Sequence, residues 1–124
     1  MGDYNPLAPA CALGWIASAA ITGGQLVAIT GNGTVGPAAE TSQSVLGIAA
    51  FDAISGSNVT ILDLDDYHES TISAVGAIAA GNPIKAGAAG TVEEYVVGTD
   101  AVTALLGYCV IGGAANGTCT WKGR

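Results

Sequence analysis

An acidic segment near the middle of the chain holds most of the residue types that could do chemistry. It reads Asp63-Leu64-Asp65-Asp66-Tyr67-His68-Glu69, with four carboxylates and the chain's single histidine. Hard cations such as Ca²⁺ prefer convergent oxygens, and a histidine beside a carboxylate suggests acid–base work. However, the spacing does not match an EF-hand loop, and adjacent strand residues point to opposite faces. We therefore predict a solvated turn, with no metal, no cofactor and no catalytic residue.

No other motif along the chain assembles a recognisable active site. No serine lies in a G-x-S-x-G context, and no phosphate-binding G-x-G-x-x-G loop opens a helix. Segment 79–86 distantly resembles the lysine hairpin of lipoyl and biotinyl carrier domains. In those domains the modified lysine stands at a hairpin tip, whereas Lys85 follows Ile84 within a predicted strand. We predict that the chain is not an enzyme and keep a carrier domain as the least favoured alternative.

The composition indicates one domain with part of its apolar surface covered by another protein chain. At 124 residues the chain fits a single domain. Charged residues make up 10% of it and hydrophobic residues 50%, whereas charged residues are roughly 25% of an average soluble protein. Large exposed apolar patches are uncommon on monomers. We therefore predict self-association.

The charge balance argues against nucleic acid and membranes as partners. The net charge is −7, and the basic residues are Lys85, Lys122 and Arg124. Nucleic acids and anionic membranes are bound largely through basic side chains. No positive segment precedes the first apolar stretch, as a signal peptide requires, so we expect a soluble protein made in the cytoplasm. The three cysteines form no even framework. This predicts free thiols, even where Cys109 and Cys119 would face each other across a hairpin.

The chain repeats one pattern of glycines and apolar pairs. Segment 21–27 returns as 78–84, and Gly33-Thr34-Val35 returns as Gly90-Thr91-Val92, both at an offset of 57 (78 − 21 and 90 − 33). Segments 45–49 and 58–61 return at an offset of 60 (105 − 45 and 118 − 58). Two copies are too few for a solenoid. We predict one domain over 10–124 that contains two related halves, about 20–61 and 77–121.

Short alternating segments between glycine-rich turns predict an all-β fold. Gly31-Asn32-Gly33 needs positive φ angles and marks a hairpin. Residues 44–51 form a nearly continuous apolar run, typical of a strand buried on both faces. Asp100 would cap a helical turn over 100–106, but no segment longer than about ten residues has a helical period. We therefore predict a small sandwich or barrel of short antiparallel strands.

The first nine residues are predicted to form an extended arm. Prolines in Asn5-Pro6 and Ala8-Pro9 block both helix and central strand. Tyr4 and Leu7 give such an arm apolar anchors. The arm is expected to contact a partner through a set of five residues: Tyr4, Asn5, Pro6, Leu7 and Pro9.

One set of glycine-punctuated apolar positions extends over most of the chain. It comprises Ile21-x-x-Gly24-x-Leu26-Val27, 45–53, Gly56-x-x-Val59-Thr60-Ile61, Ile78-x-x-Gly81-x-Pro83-Ile84, Gly90-Thr91-Val92, and Leu106-Gly107-Tyr108 with Gly112-Gly113. This pattern resembles the small capsid cement, or head decoration, proteins of tailed phages. Members of that family often carry Asp after the repeated glycine, where this chain has Gln25 and Asn82. The first nine residues and the tail Trp121-Lys122-Gly123-Arg124 lie outside the resemblance.

The resemblance implies a non-enzymatic virion protein on the capsid exterior. Its partners would be the major capsid protein and itself, commonly as a homotrimer, and it would stabilise the capsid. The five arm residues would then contact the capsid. A receptor- or glycan-binding module of a virion surface remains the alternative, and it predicts solvent-facing aromatic residues on loops.

Overall fold

The computed structural model describes residues 14–124, and nearly all of its regular structure is strand. The strands are β1 (Trp15–Ala17), β2 (Leu26–Gly31), β3 (Thr34–Pro37), β4 (Val45–Ala49), β5 (Asn58–Val59), β6 (Ile61–Leu62), β7 (Tyr67–Thr71), β8 (Pro83–Ala86), β9 (Val92–Glu94), β10 (Gly107–Ile111) and β11 (Thr118–Gly123). Two 3₁₀ turns, Ala88–Gly90 and Val102–Ala104, interrupt them. The predicted all-β fold is confirmed. The arm over residues 1–9 lies outside the described residues.

The first six strands form one sheet that bends back on itself. Their order is β5-β1-β3-β2-β4-β6. The two edge strands, β5 and β6, are separated along the chain by Thr60 alone. The sheet therefore bends until its two edges lie close together. β1 and β3 run parallel, whereas the prediction was for antiparallel strands. A parallel pair needs a long connection, and residues 18–33, which include β2, supply it.

The last five strands form a second sheet of the same design. Their order is β7-β11-β10-β8-β9, and every neighbouring pair is antiparallel. A parallel bridge between Ile72 and Val92 connects the end of β7 to β9. The second sheet therefore also curls, and the two sheets make up the two halves of the fold, residues 15–62 and 67–123.

The backbone hydrogen bonds repeat between the halves in the register of the sequence repeat. Gly24 N–H donates to Ala49 O at 2.8 Å, and Gly81 N–H donates to Cys109 O at 2.8 Å. The offsets are 57 (81 − 24) and 60 (109 − 49). Gly24 and Gly81 have φ values of 93° and 90°, which strongly favour glycine. The repeated glycine is therefore a backbone requirement of the same turn in both halves.

Each half encloses a small core at equivalent positions. The first consists of Ala17, Ile21, Val27, Val35, Ala49 and Val59. Their counterparts, all buried, are Ile72, Ile78, Ile84, Val92, Cys109 and Cys119. The second set is part of a larger cluster that also fills the space between the two halves. We call this space the junction. The further members of the cluster are Leu26, Ala28, Ala38, Ile48, Ala86, Leu106 and Trp121.

Two sequence expectations fail at segment ends. The apolar run over 44–51 is a strand only from Val45 to Ala49, and Phe51 is 70% exposed, because the chain leaves the sheet before reaching it. The helical turn predicted over 100–106 is a 3₁₀ turn over Val102–Ala104, capped by Ala101 without a side-chain hydrogen bond. Asp100 does not cap it because its carboxylate binds Lys85 and the Val96 N–H instead.

The described residues contain no helix of the length and hydrophobicity needed to cross a bilayer.

Candidate functional site

The acidic segment forms an exposed turn whose side chains do not converge. Asp63, Asp65 and Asp66 are exposed. The Asp66 carboxylate accepts a hydrogen bond from the Tyr67 N–H at 2.7 Å, and Lys122 Nζ donates to the carbonyl of Asp65, not to its carboxylate. Within residues 14–124, no three His, Cys, Asp or Glu side chains lie together as metal ligands would. The hydrogen bonds of this turn therefore join side chains to backbone groups and do not bring its carboxylates together.

His68 and Glu69, adjacent on β7, lie in different surroundings. The His68 ring lies 5.1 Å from the Trp121 ring, centre to centre, at 45°. Its Nε2 is 2.7 Å from the carbonyl oxygen of Asp63. Glu69 is exposed and lines a polar cleft. The imidazole therefore covers the junction and fixes the acidic turn, and the two side chains do not form an acid–base pair.

A polar cleft of about 450 Å³ lies between the two halves. The turn 22–25 forms one wall, and 69–71, 89–91 and Thr118 form the rest. Hydroxyl groups, one carboxylate and one amide line it. Because Ser70 Oγ already accepts the Trp121 Nε1–H at 2.9 Å and Thr91 Oγ1 donates to Ala88 O at 2.7 Å, part of this lining serves the fold.

A buried ion pair lies on the second sheet, and sequence reasoning missed it. Lys85 is 8% exposed, and its Nζ lies 2.8 Å from Asp100 Oδ1. The hydrogen bond from Lys85 is the main cause that lowers the pKa of Asp100, and the Val96 N–H adds to it. A buried, paired ammonium is not presented for acylation, so Lys85 does not fit the role of a carrier lysine.

Glu93 places a second carboxylate beside this pair. It lies opposite Lys85 across β8 and β9 and is 5% exposed, and its Oε1 has no hydrogen-bond partner among the described residues. Burial raises the pKa of Glu93, and a hydrogen bond and charge repulsion from Glu40 raise it further. Since Glu40 belongs to the first half, this pair of acids spans the junction. The buried Glu93 carboxyl is not presented to a substrate.

Both cysteines of the described part of the chain are free and buried. Burial, followed by the neighbouring Cys109, raises the pKa of Cys119 to about 12. Burial also raises the pKa of Cys109. Nucleophilic cysteines need a thiolate, so these thiols act as small apolar core residues.

The surface carries many large apolar side chains. Among the most exposed are Val97 at 80%, Val75 at 74%, Ile54 at 72% and Phe51 at 70%. Of the two tryptophans, Trp121 is fully buried and Trp15 is half-buried in β1. The strongest surface feature is therefore apolar and aliphatic, which suits protein contacts better than chemistry.

The arm residues predicted as contacts, Tyr4 to Leu7 and Pro9, lie outside the described residues. Their role stays a prediction.

Comparison with known proteins identifies the class of fold. No protein-family model matches the sequence, and no curated protein matches it significantly. Among solved structures, the chain is similar to the N base of the head fiber gp8.5 of bacteriophage phi29. The TM-score is 0.67 at 21% identity, and the match covers 90% of this chain and 91% of that one. The chain therefore shares its all-β fold with a phage head protein.

Proposed function

We propose that this chain is a structural protein of a phage virion, bound to the outer surface of the capsid, which it stabilises. The observation that carries the proposal is the fold shared with a phage head fiber base over 90% of the chain. The sequence resemblance to capsid cement proteins, which was drawn from different features, points the same way. The major capsid protein would be the partner, with no nucleic acid, membrane, cofactor or catalysis involved.

The physical role would be to add buried contact area across capsomer boundaries. Each contact of a small protein with a capsid is weak, but lattice symmetry repeats it, and several linked contacts act with avidity. Exposed aliphatic side chains such as Val75 and Val97 supply apolar area for such contacts. The arm would add an extended segment able to pair with a strand edge of the capsid. A homotrimer would present three such arms to one lattice position.

The test is co-sedimentation with heads purified from the phage whose genome encodes this chain, stripped of the protein itself. We expect saturable binding and a higher temperature for head disruption. Deleting residues 2–9 should keep the melting temperature of the protein and weaken head binding. The matched control is Asp65→Asn with Asp66→Asn, which changes exposed charges and should leave binding intact. Absence of binding by the full chain would contradict the proposal, and equal binding without the arm would remove the arm from it.

A receptor- or glycan-binding module is a second candidate, favoured by one observation. Phe51 is a 70% exposed aromatic side chain outside the strands, as that alternative predicts. If adsorption of phage to host cells falls with Phe51→Ala while head binding is unchanged, this second function is supported. If adsorption is unchanged, it is contradicted.

A further inference from the structure

We infer that copies of this chain associate head to tail, through a contact that repeats the junction between the two halves. The inference rests on the self-association in the proposed function and deepens it by naming the surfaces. The occupant of each surface is a second copy of the chain. The internal junction, the repeat register and the exposure of equivalent positions support it.

Inside one chain the two halves meet through different surfaces. The first half contributes β2 and the segment after β3, and the second contributes the turn after β8. Gly90 N–H donates to Ala38 O at 2.9 Å, and Thr41 N–H donates to Ala86 O at 2.9 Å. Gln25 Nε2 donates to Ala89 O at 3.0 Å. A contact between unlike surfaces of related units is heterologous, so it leaves one unused surface at each end.

The repeat register locates the unused surface of the first half. Ala86 and Trp121 of the second half correspond to Ile29 (86 − 57) and Ile61 (121 − 60). Ala86 and Trp121 are both 0% exposed and belong to the cluster that fills the junction. Ile29 is 46% exposed and Ile61 is partly buried. We call Ile29, Ile61 and Leu46, the counterpart of Leu106 (106 − 60), the leading face.

The same register locates the unused surface of the second half. Leu26 and Ile48 correspond to Pro83 (26 + 57) and Tyr108 (48 + 60). Ile48 is 4% exposed within the junction, whereas Tyr108 is 51% exposed. Val96 and Val97 follow Tyr95, whose N–H donates to Pro83 O at 2.9 Å, and they are 47% and 80% exposed. We call Pro83, Val96, Val97 and Tyr108 the trailing face.

The two faces match in chemistry as well as in register. Both are mainly apolar: the charged neighbour of the trailing face is Lys122, paired with Tyr108 across β10 and β11, and its ammonium lies over the Tyr67 ring, 5.7 Å from the ring centre. The connection from Val92 to Leu105 is three residues longer than that from Val35 to Val45 (offset 60 against 57). It buries Lys85 beneath Asp100, so the ammonium that replaces Ala28 is removed from the trailing face. The copy-to-copy contact would therefore be apolar like the junction. It would close a ring or extend a filament, depending on the rotation between halves.

The experiment measures mass in solution without capsids, by sedimentation velocity and native mass spectrometry. Ile29→Asp disrupts the leading face and Tyr108→Asp the trailing face. Ile54→Asp is the control, because Ile54 is 72% exposed and its counterpart Ala114 lies outside the junction and is also exposed. The wild type and the control should share one oligomeric state. Each face variant should associate about 100-fold more weakly or worse, because a charge would be buried without a partner.

Mixing the two face variants gives the sharpest result. Each keeps one intact face, so an equimolar mixture should form a dimer that contains one copy of each. If each face instead paired with the same face of another copy, mixing the two variants would not restore association. If either substitution lowers the melting temperature, Ile29→Lys and Val97→Asp replace the pair, since both positions are exposed and a lysine can keep its charged end in water.

A monomeric wild type, or an oligomer that neither face variant weakens, would overturn the inference. Capsid binding is measured separately, so a wild-type oligomer that does not bind heads would contradict the proposed function alone.

Discussion

Replacing Ser70 by alanine should destabilise the protein by leaving the indole N–H of Trp121 without an acceptor. Trp121 is 0% exposed and Ser70 is 3% exposed, and the Nε1–Oγ distance is 2.9 Å. A buried donor that loses its acceptor costs about 1–3 kcal/mol. For 124 residues the unfolding entropy is about 0.26 kcal/mol per kelvin, so the melting temperature should fall by about 4–12 °C.

The assay is thermal unfolding followed by circular dichroism, arranged as a double-mutant cycle with Trp121→Phe. Phenylalanine has no N–H, so Ser70→Ala should cost much less in that background, with a coupling of about 1–2 kcal/mol. Thr71→Ala, at the exposed neighbouring position, is the matched control and should change stability by less than about 0.5 kcal/mol. An equal loss in both backgrounds, or no loss at all, would refute the assigned role of this hydrogen bond.

Four further predictions concern ionisable groups. Asp100→Asn should lower the melting temperature more than Asp66→Asn, because it leaves the buried Lys85 without its carboxylate. In the folded state the pKa of Glu93 lies above its ordinary value of 4.5, so protonation of Glu93 favours the folded state. As the pH rises from 4.5, the unfolded chain loses this proton first, and the free energy of unfolding falls. Glu93→Gln should therefore gain stability relative to wild type across that range, and parallel pH profiles would contradict this. Cys119, with a pKa of about 12, should react with iodoacetamide at pH 8 far more slowly in the folded than in the unfolded protein, as followed by mass spectrometry. Calcium, zinc or a chelator should leave the melting temperature unchanged, whereas a rise of several degrees with calcium would reveal a site in the acidic turn.

The repeat was visible in the sequence because backbone geometry fixes the residues that mark it. A Cβ on Gly47 would lie 2.2 Å from Leu62 O, and one on Gly107 would lie 2.0 Å from Lys122 O. Such approaches exclude every side chain, so these glycines occur in both halves. The all-β fold followed from turn glycines and alternating apolar positions, which depend on local geometry and can be read without knowing the tertiary contacts.

The buried polar group of Lys85, Asp100 and Glu93 could not be predicted, because it depends on tertiary contacts. Lys85 looked like an ordinary strand residue, and Asp100 like a helix cap, because their distance depends on the twelve-residue connection between β9 and β10, residues 95–106. Likewise, the apolar composition predicted that part of the apolar surface is covered by another protein chain, but it did not identify the residues on either side of that contact. Period-2 alternation assigns a side chain to one face of a sheet, while the neighbour of that face is a property of the tertiary fold.

Differences between equivalent residues in the two halves follow from where each stands in the proposed association. The junction forms once, within a chain, and is never exposed after folding, so it can use Leu26, Ile48 and Trp121. The corresponding outer positions hold Pro83, Tyr108 and Ile61, which are partly exposed in the free chain and would be covered only when a second copy binds. Tyrosine tolerates that state because its hydroxyl remains hydrated while its ring is available for burial. Equivalent residues of the two halves are thus expected to differ, because the junction is a permanent contact within one chain and the proposed contact between copies would form only on assembly.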